Sequence, residues 1–241
     1  MARGCDKETL PCPFNLYTNR LDLNTAPCCR EHLAELCHYV ASRPSEMVVV
    51  HWLEGGNLLG TVRENGRLLA WEDDIDISVM LDNQMTFERL ATGLVECGAR
   101  DGYFVDVFNE LEFVSISYDL PQRCPLSWER RRMRGEIRLD IAVYRHALSD
   151  GKPVLERNNR KGAMPLTESG GYGVLEDVVP PTSSIGFLGN NIACPNQPEE
   201  YLRQLYGDFD EVDYTYVDAS AANTRRGVDI AIGAGPDNLG P

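Results

Sequence analysis

Apolar residues along this chain follow two periods, one typical of helices and one typical of strands. Residues 30–42 place apolar side chains every three or four positions, which predicts an amphipathic helix that ends at Arg43-Pro44-Ser45. Val48–Leu53 is a short apolar run rich in β-branched residues and predicts a buried strand. Residues 74–79 alternate polar and apolar side chains, which is the period of a half-buried strand.

The second half of the chain continues this mixture of helices and strands. In chain order, the pattern predicts a helix over 86–97, a β-hairpin over 103–120 that turns at Asn109-Glu110, a strand over 137–144, short strands over 175–193 and a helix over 195–207. Proline and acidic residues in its first turn and Gly207 at its end mark the last helix. The sequence after Asp213 turns polar and predicts a disordered tail.

A Gly-Gly step joins the predicted strand 48–53 to a short predicted helix. Gly55 and Gly56 allow a sharp turn and a close approach of the backbone to a ligand, and Asn57 is the predicted cap of the helix. A strand, a glycine turn and a helix N-terminus together form the kind of site that binds phosphate. The glycine pair by itself indicates no more than a turn.

An acidic cluster begins the predicted strand 74–79. Four carboxylates occur within five residues, at Glu72, Asp73, Asp74 and Asp76. Asp74 and Asp76 point to the same face, about 7 Å apart at Cα from a rise of roughly 3.3 Å per residue. Carboxylates this close repel one another unless a cation or hydrogen-bond donors offset the charge. A solvated acidic loop is the alternative, but the interleaved apolar residues favour a strand that binds Mg²⁺.

Two further charged features come later in the chain. Asp140 is a single carboxylate in the apolar strand 137–144, where a buried acid is costly unless it binds a metal or pairs with an arginine. An arginine-rich run at 130–134 either binds phosphate groups or forms a solvated basic turn. The pattern alone does not assign a role to an individual arginine in that run.

Composition narrows the class of protein. The 241 residues are 43% hydrophobic, enough to bury a sizeable core, and the net charge of −14 argues against a protein that coats nucleic acid. No apolar stretch approaches the roughly 20 residues that span a bilayer, and residues 1–6 contain no signal-peptide core. We therefore expect a soluble chain with no membrane segment, cytoplasmic as it stands.

Eight cysteines include four near the N-terminus. These four are Cys5, Cys12, Cys28 and Cys29, in a loop rich in proline and asparagine. Neighbouring cysteines rarely bond to each other because the geometry is strained, but both can ligate one Zn²⁺. The spacing alone leaves zinc, disulfides and unrelated buried thiols open.

The run Gly55–Arg63, the following Gly66 and the acidic block Trp71–Asp76 closely resemble the LicD family, and within it the fukutin-related type. Ala70 departs from the family, which usually has proline there. The resemblance implies an α+β fold, with a nucleotidyltransferase-like mixed β-sheet flanked by helices. It also implies transfer of a phospho-alcohol, such as ribitol 5-phosphate or phosphocholine, from a CDP-linked donor to a hydroxyl of a glycan acceptor, with release of CMP.

The resemblance also assigns roles to individual residues. It implies that Asp74, Asp76 and Asp140 bind Mg²⁺ or Mn²⁺ and carry catalysis, with Asp140 placed to accept the hydroxyl proton. The implied contacts to phosphate come from Gly55, Gly56, Asn57 and Arg63, although Arg63 could instead brace the acidic strand. The implied ligands of a structural Zn²⁺ are Cys5, Cys12, Cys28 and Cys29, with Cys37 as the likeliest substitute.

These expectations divide the chain into three parts: a zinc loop and leading helix over 1–42, a LicD-like catalytic domain over 43–212 and the tail over 213–241. Family members carry an anchor and a stem, so a partial chain would belong to the Golgi lumen. Two other functions stay open, a nucleotidyltransferase that acts on RNA or a small molecule and a non-catalytic zinc-binding module. The identity of the alcohol, the acceptor and the oligomeric state are not determined by the sequence.

Overall fold

The computed structural model describes residues 27–69, 72, 74–118, 138–157 and 172–210, without the side chains of residues 27, 28, 44, 45 and 172. Several sequence predictions concern residues outside this part of the chain. They are the zinc ligands Cys5 and Cys12, the side chain of Cys28, the arginine run 130–134 and the tail 213–241.

Four α-helices and nine strands follow one another in the described residues. The helices are α1 (Pro27–Glu46), α2 (Gly55–Arg63), α3 (Phe87–Asp101) and α4 (Pro198–Tyr206). The strands are β1 (Val50–Leu53), β2 (Asp74–Met80), β3 (Tyr103–Phe108), β4 (Phe113–Tyr118), β5 (Arg138–Ser149), β6 (Lys152–Arg157), β7 (Tyr172–Leu175), β8 (Ser183–Phe187) and β9 (Asn190–Cys194). No helix in the described residues is both long and apolar enough to cross a membrane.

Seven of the strands form one mixed sheet. Its main path runs β1-β2-β5-β4-β3, with β6 added beside β5 and β7 beside β6. Strands β2 and β5 run parallel, whereas the other paired strands in the described residues run antiparallel. Strands β8 and β9 form a separate hairpin. The predicted α+β fold with a mixed sheet flanked by helices is therefore confirmed.

The alternation along β2 decides what each face of the sheet carries. Ile75, Ile77 and Val79 are fully buried, and they share their face with Leu139 and Ile141, their neighbours across the β2–β5 pair. Helix α1 covers this face with an apolar stripe that contains Leu33, Leu36 and Val40. The even-numbered residues of β2 point to the opposite face, where α2 and α4 pack against each other. The acidic residues of β2 therefore lie on the side of α2 and α4.

Two predicted boundaries near the start of the domain are wrong. Helix α1 continues through Pro44 to Glu46, and the N–H of Met47, the next residue, still donates to the Arg43 carbonyl at 3.0 Å. Strand β1 begins at Val50 rather than Val48, because Val48 is 91% exposed and its φ of 59° lies in the left-handed region. A residue in that conformation does not continue an extended strand.

Two later elements are longer than the pattern predicted. Helix α3 passes through Gly98 to Asp101 and ends at Gly102, whose φ of 85° is left-handed and whose N–H donates to the Gly98 carbonyl. A Cβ at residue 98 would lie 2.6 Å from Val105, so glycine there lets helix and strand pack closely. Strand β5 runs on to Ser149 and pairs with β6, a hairpin that was not predicted. Its turn is Asp150-Gly151, both at positive φ, and an Asp-Gly pair is a recognisable hairpin signal.

Candidate active site

Three carboxylates meet on the α2 side of the central parallel pair of strands. Asp76 on β2 lies directly across from Asp140 on β5, and Asp74 lies across from Arg138. Residues that face each other across paired strands share one face of the sheet. The structure therefore brings together the three acids that the sequence analysis selected.

Arg138 connects two of these carboxylates. Its Nη2 lies 2.7 Å from Asp74 Oδ2, and its Nε lies 2.9 Å from Asp140 Oδ2. Asp140 is only 7% exposed, and its other oxygen, Oδ1, is buried without a hydrogen-bond partner in the described part of the chain. A buried carboxylate oxygen without a partner is costly, which makes this atom a place for a cation or a proton.

Asp76 is a carboxyl group with two like charges beside it. Burial, followed by the charges of Asp74 and Asp140, raises the pKa of Asp76 well above its usual value, and Arg157 partly opposes this increase. A carboxyl group in such surroundings is stabilised as an anion by an additional cation. Arg157 was not singled out in the sequence, where it is one arginine at the end of a polar strand.

The donor set fits a hard divalent cation, because carboxylate oxygens are the preferred ligands of Mg²⁺. The Arg138 guanidinium lies between two of the three carboxylates and supplies positive charge there. Within the described ranges, no three acidic, histidine or cysteine side chains converge closely enough to hold a metal. Metal binding at the three acids therefore needs Asp74 and Asp140 to turn from Arg138.

The N-terminus of α2 lies beside the acids. Gly55 has a φ of 55°, and a Cβ on it would lie 3.6 Å from Asp76 Oδ2 and 3.5 Å from the Tyr206 hydroxyl. Glu54 precedes the helix in an extended conformation as its N-cap. The first backbone N–H groups of a helix have no partner within the helix, so this turn presents donors to an anion.

The prediction that Asn57 caps this helix is wrong, since the helix begins two residues earlier at Gly55. Asn57 is fully buried and uses its amide on the neighbouring strand instead. Its Nδ2 donates to the Asp74 carbonyl at 3.1 Å, and its Oδ1 accepts from the Asp76 N–H. Asn57 therefore fixes the position of the strand that carries two of the acids.

Glu72, the first acid of the cluster, lies against Gly56. A Cβ on Gly56 would overlap the Glu72 carboxylate, so a larger residue at position 56 would displace this flexible side chain. The carboxylate thus lies near the positive end of the α2 dipole, where a negative charge is favourable. The sequence showed Glu72 as part of the cluster but gave it no separate role.

Glu54 lies beneath the turn as a buried acid, 4% exposed. Its Oε2 accepts hydrogen bonds from Tyr201 at 2.6 Å, Ser78 at 2.5 Å and Trp52 Nε1 at 3.1 Å. These partners belong to α4, β2 and β1, so one carboxylate joins three elements around the site. The position of Glu54 directly before Gly-Gly could have indicated a role near the site, but nothing in the sequence pointed to Tyr201 as its partner.

Some of the predicted residues lie away from this group. Arg63 is at the C-terminal end of α2, roughly 12 Å from Gly55 for a rise of about 1.5 Å per residue. Cys29 and Cys37 are buried in α1, and burial raises the pKa of the Cys37 thiol to about 12, which keeps it protonated. The zinc site itself depends on residues outside the described ranges and stays a prediction.

Comparison with known proteins gives the family. Residues 48–197 match the family model described as LicD/FKTN/FKRP, nucleotidyltransferase domain. The chain is 29% identical over 216 residues to ribitol 5-phosphate transferase FKRP of Homo sapiens and 28% identical to the Mus musculus protein of that name. These alignments cover 85% of this chain but 38% of each relative, so the chain spans well under half of their length.

One solved structure also aligns with part of this chain. The lincosamide antibiotic adenylyltransferase LnuA, with lincomycin bound, aligns with a TM-score of 0.40 and 17% identity over 76% of this chain and 88% of that chain. The family match extends from the residues before β1 to the residue before α4, which is more than half of the chain and includes the glycine turn and all three acids. This chain belongs to the LicD/FKTN/FKRP family.

Proposed function

We propose that this chain is a Mg²⁺-dependent phosphotransferase that moves a phospho-alcohol from a CDP-linked donor substrate to a hydroxyl of a glycan acceptor and releases CMP. The observation that carries the proposal is the placement of Asp74, Asp76 and Asp140 on one face of two parallel strands beside the N-terminus of α2. Carboxylates that gather a divalent cation next to a phosphate-binding turn suit phosphoryl transfer.

Ribitol 5-phosphate is the first alcohol to test. Two relatives with 28–29% identity bear the name ribitol 5-phosphate transferase, and they share the segment that contains the acids. The glycan acceptor follows from the family resemblance, and the chain's own residues do not identify it. Phosphocholine and glycerol phosphate are therefore included in the same panel.

Asp74, Asp76 and Asp140 are the residues that would hold the metal. When bound, the metal would neutralise negative charge on the pyrophosphate and replace Arg138 as the counter-charge of these carboxylates. The raised pKa of Asp76 supports this assignment, because a cation relieves the repulsion that raises it. Asn57 supports the same geometry through the backbone of β2.

The turn at Gly55 and Gly56 would bind the phosphate oxygens through backbone N–H groups of α2. The positive φ at Gly55 explains why glycine is present there, and Gly56 leaves room for the Glu72 carboxylate. Glu72 would leave the helix N-terminus when a phosphate arrives, since two anions compete for the same positive end.

Asp140 would act on the acceptor. The acceptor oxygen forms a bond to the phosphorus that carries the alcohol, the bond from that phosphorus to the CMP oxygen breaks, and the hydroxyl proton passes to the Asp140 carboxylate. Oδ1 of Asp140 suits this step, because it is a buried carboxylate oxygen without a hydrogen-bond partner in the described residues.

The test is release of CMP from CDP-ribitol, CDP-choline and CDP-glycerol with Mg²⁺, in wild type and in Asp76→Asn. We expect release from one donor substrate, lost in Asp76→Asn and on metal chelation. Asp177→Asn, which changes an exposed acid between β7 and β8, is the matched control and should retain activity. Unchanged release in Asp76→Asn would contradict the proposal.

A second candidate is transfer of a nucleotide, since the matching family model is described as a nucleotidyltransferase domain. The same acids and the same turn would then bind a nucleoside triphosphate. Incubation with labelled CTP or ATP and candidate acceptors separates the two reactions. Incorporation of label, with no CMP release from the CDP-alcohols, would favour nucleotide transfer.

A further inference from the structure

Arg138 is a basic residue that contacts two of the three site carboxylates. It faces Asp74 across the β2–β5 pair, and it precedes Asp140 by two residues on the same face of its own strand. Its guanidinium spans the two carboxylates, with contacts of 2.7 Å to Asp74 and 2.9 Å to Asp140. One positive charge thus pairs with two of the three acids.

The contacts use the oxygens that a metal would need. Each is a charge-assisted hydrogen bond to a carboxylate that is less than one-fifth exposed, so solvent screens it only in part. A divalent cation between Asp74 and Asp140 would occupy the space of the guanidinium. The two cations therefore compete for the same pair of carboxylates.

We propose that Arg138 is a built-in counter-cation, which holds the carboxylates of Asp74 and Asp140 when the metal is absent and which the metal must displace to bind. This inference rests on the proposed metal site and adds a residue that sets its affinity. Arg138 is a positioning residue here, because it acts through the two acids.

The arrangement has a cost and a benefit. Without Arg138, three neighbouring carboxylates would repel one another in the metal-free protein, and the local fold would be less stable. With Arg138, each metal that binds must first break two charge-assisted contacts, which lowers the apparent affinity. The wild-type site is then stable without metal and binds the metal with only moderate affinity.

The experiment measures Mn²⁺ binding to the purified chain by electron paramagnetic resonance, and thermal unfolding in chelator. For Arg138→Gln, we expect the Kd for Mn²⁺ to fall about tenfold, equivalent to about 1.4 kcal/mol. We also expect a lower melting temperature in chelator. Arg138→Lys, which keeps the charge but loses the fork of donors, should lie between the two.

Two matched variants separate competition from a general effect of charge. Arg145→Gln removes an arginine that pairs with Glu112 further along β5, and it should leave the Mn²⁺ affinity unchanged. Arg157→Gln removes a positive charge that acts on Asp76 but leaves Arg138 in place, and it should change the Kd by less than a factor of about three.

The outcomes are distinct. Tighter Mn²⁺ binding confined to the Arg138 variants supports the proposal. Equal or weaker binding in Arg138→Gln, or an equal gain in Arg157→Gln, overturns it while the proposed metal site stands. If neither wild type nor any variant binds Mn²⁺, both the proposed metal-dependent function and this inference fail.

Discussion

The Tyr201 hydroxyl donates a hydrogen bond to Glu54 Oε2 at 2.6 Å, although 147 residues separate the two along the chain. Tyr201 is fully buried, and the same hydroxyl also lies 3.0 Å from Trp52 Nε1. The contact attaches the last described helix to the residue that immediately precedes the glycine turn. The position of that turn therefore depends on a residue far away in sequence.

Tyr201→Phe removes this donor and leaves the ring in place. We expect a loss of about 1–2 kcal/mol in the free energy of unfolding, because a buried carboxylate loses one of its partners. Urea unfolding of the variant and the wild type gives the value. Tyr39→Phe is the control, because the Tyr39 hydroxyl donates to Asp101 near the surface, where water can replace it. An equal effect in both variants would contradict the special role of the buried contact.

Asn57→Asp keeps the size of the side chain but replaces a donor by a negative charge. The variant loses the hydrogen bond to the Asp74 carbonyl and adds a fourth carboxylate beside the acids. We expect roughly 2–4 kcal/mol of destabilisation, measured by urea unfolding. Asn190→Asp makes the same change at an exposed position and should have little effect. Similar stability of both variants would show that Asn57 does not hold the strand.

Asp76→Asn should make the metal-free protein more stable at pH 7, although it removes activity. The variant replaces a buried charge that two neighbouring acids oppose, as the raised pKa of Asp76 indicates. Because the pKa of Asp76 is raised in the folded state, the wild type regains this stability as the pH falls toward the unfolded-state pKa of about 3.9. The free energies of unfolding of wild type and variant should therefore become equal near that pH.

Asp74→Asn is the matched comparison. It removes a partner of Arg138, so its melting temperature in chelator should fall rather than rise. Thermal unfolding of both variants with a chelator, at pH 7 and at pH 4, checks the contrast. A drop in both variants at pH 7 would contradict the electrostatic account of Asp76.

The ionised Asp101 stabilises the fold, so its contribution depends on pH in the opposite sense to that of Asp76. The Arg100 guanidinium, assisted by the Tyr39 hydroxyl, lowers the pKa of Asp101 to about 2. A lowered pKa stabilises the fold above the unfolded value, and this contribution is lost as the pH falls from about 4 to about 2. Asp101→Asn should therefore be less stable than wild type at pH 7 and equally stable near pH 2. A constant difference across this range would exclude the ionised form as the cause.

Gly55→Ala and Gly102→Ala test what the glycine turn contributes to function. Both residues have positive φ, so alanine should cost each variant about 1 kcal/mol of backbone strain. Only Gly55 lies beside Asp76, whereas a Cβ at Gly102 would meet nothing within 4 Å. We expect similar melting temperatures for the two variants but loss of CMP release in Gly55→Ala alone. Equal activity of the two variants would show that Gly55 does not contribute to donor binding.

The parts of the site that follow from local patterns could be predicted from the sequence. The period of two along β2 put Asp74 and Asp76 on one face, and the structure has them there. The lone acid on an apolar strand identified Asp140 as a residue that needs a partner, and Arg138 is that partner. A charged residue two positions before it on the same strand face was a visible signal for the pair.

The rest depends on tertiary contacts that leave no local trace. Asn57 has the chemistry of a cap, but the buried strand beside it offers a carbonyl and an N–H, and its amide binds those instead. Helix α1 passes Pro44, and the Met47 N–H beyond it still donates to the Arg43 carbonyl. The contact between Glu54 and Tyr201 joins distant segments, and no spacing in the sequence encodes it.

The place of α4 in the fold has a consequence for the protein as it is synthesised. The glycine turn and all three acids leave the ribosome before the helix that supplies Tyr201 and Tyr206. A nascent or truncated chain that stops before Pro198 therefore carries the complete family motif, while Glu54 lacks the hydroxyl that binds it in the finished domain. A chain that terminates before the last helix would therefore contain the motif but lack the contact that positions the glycine turn.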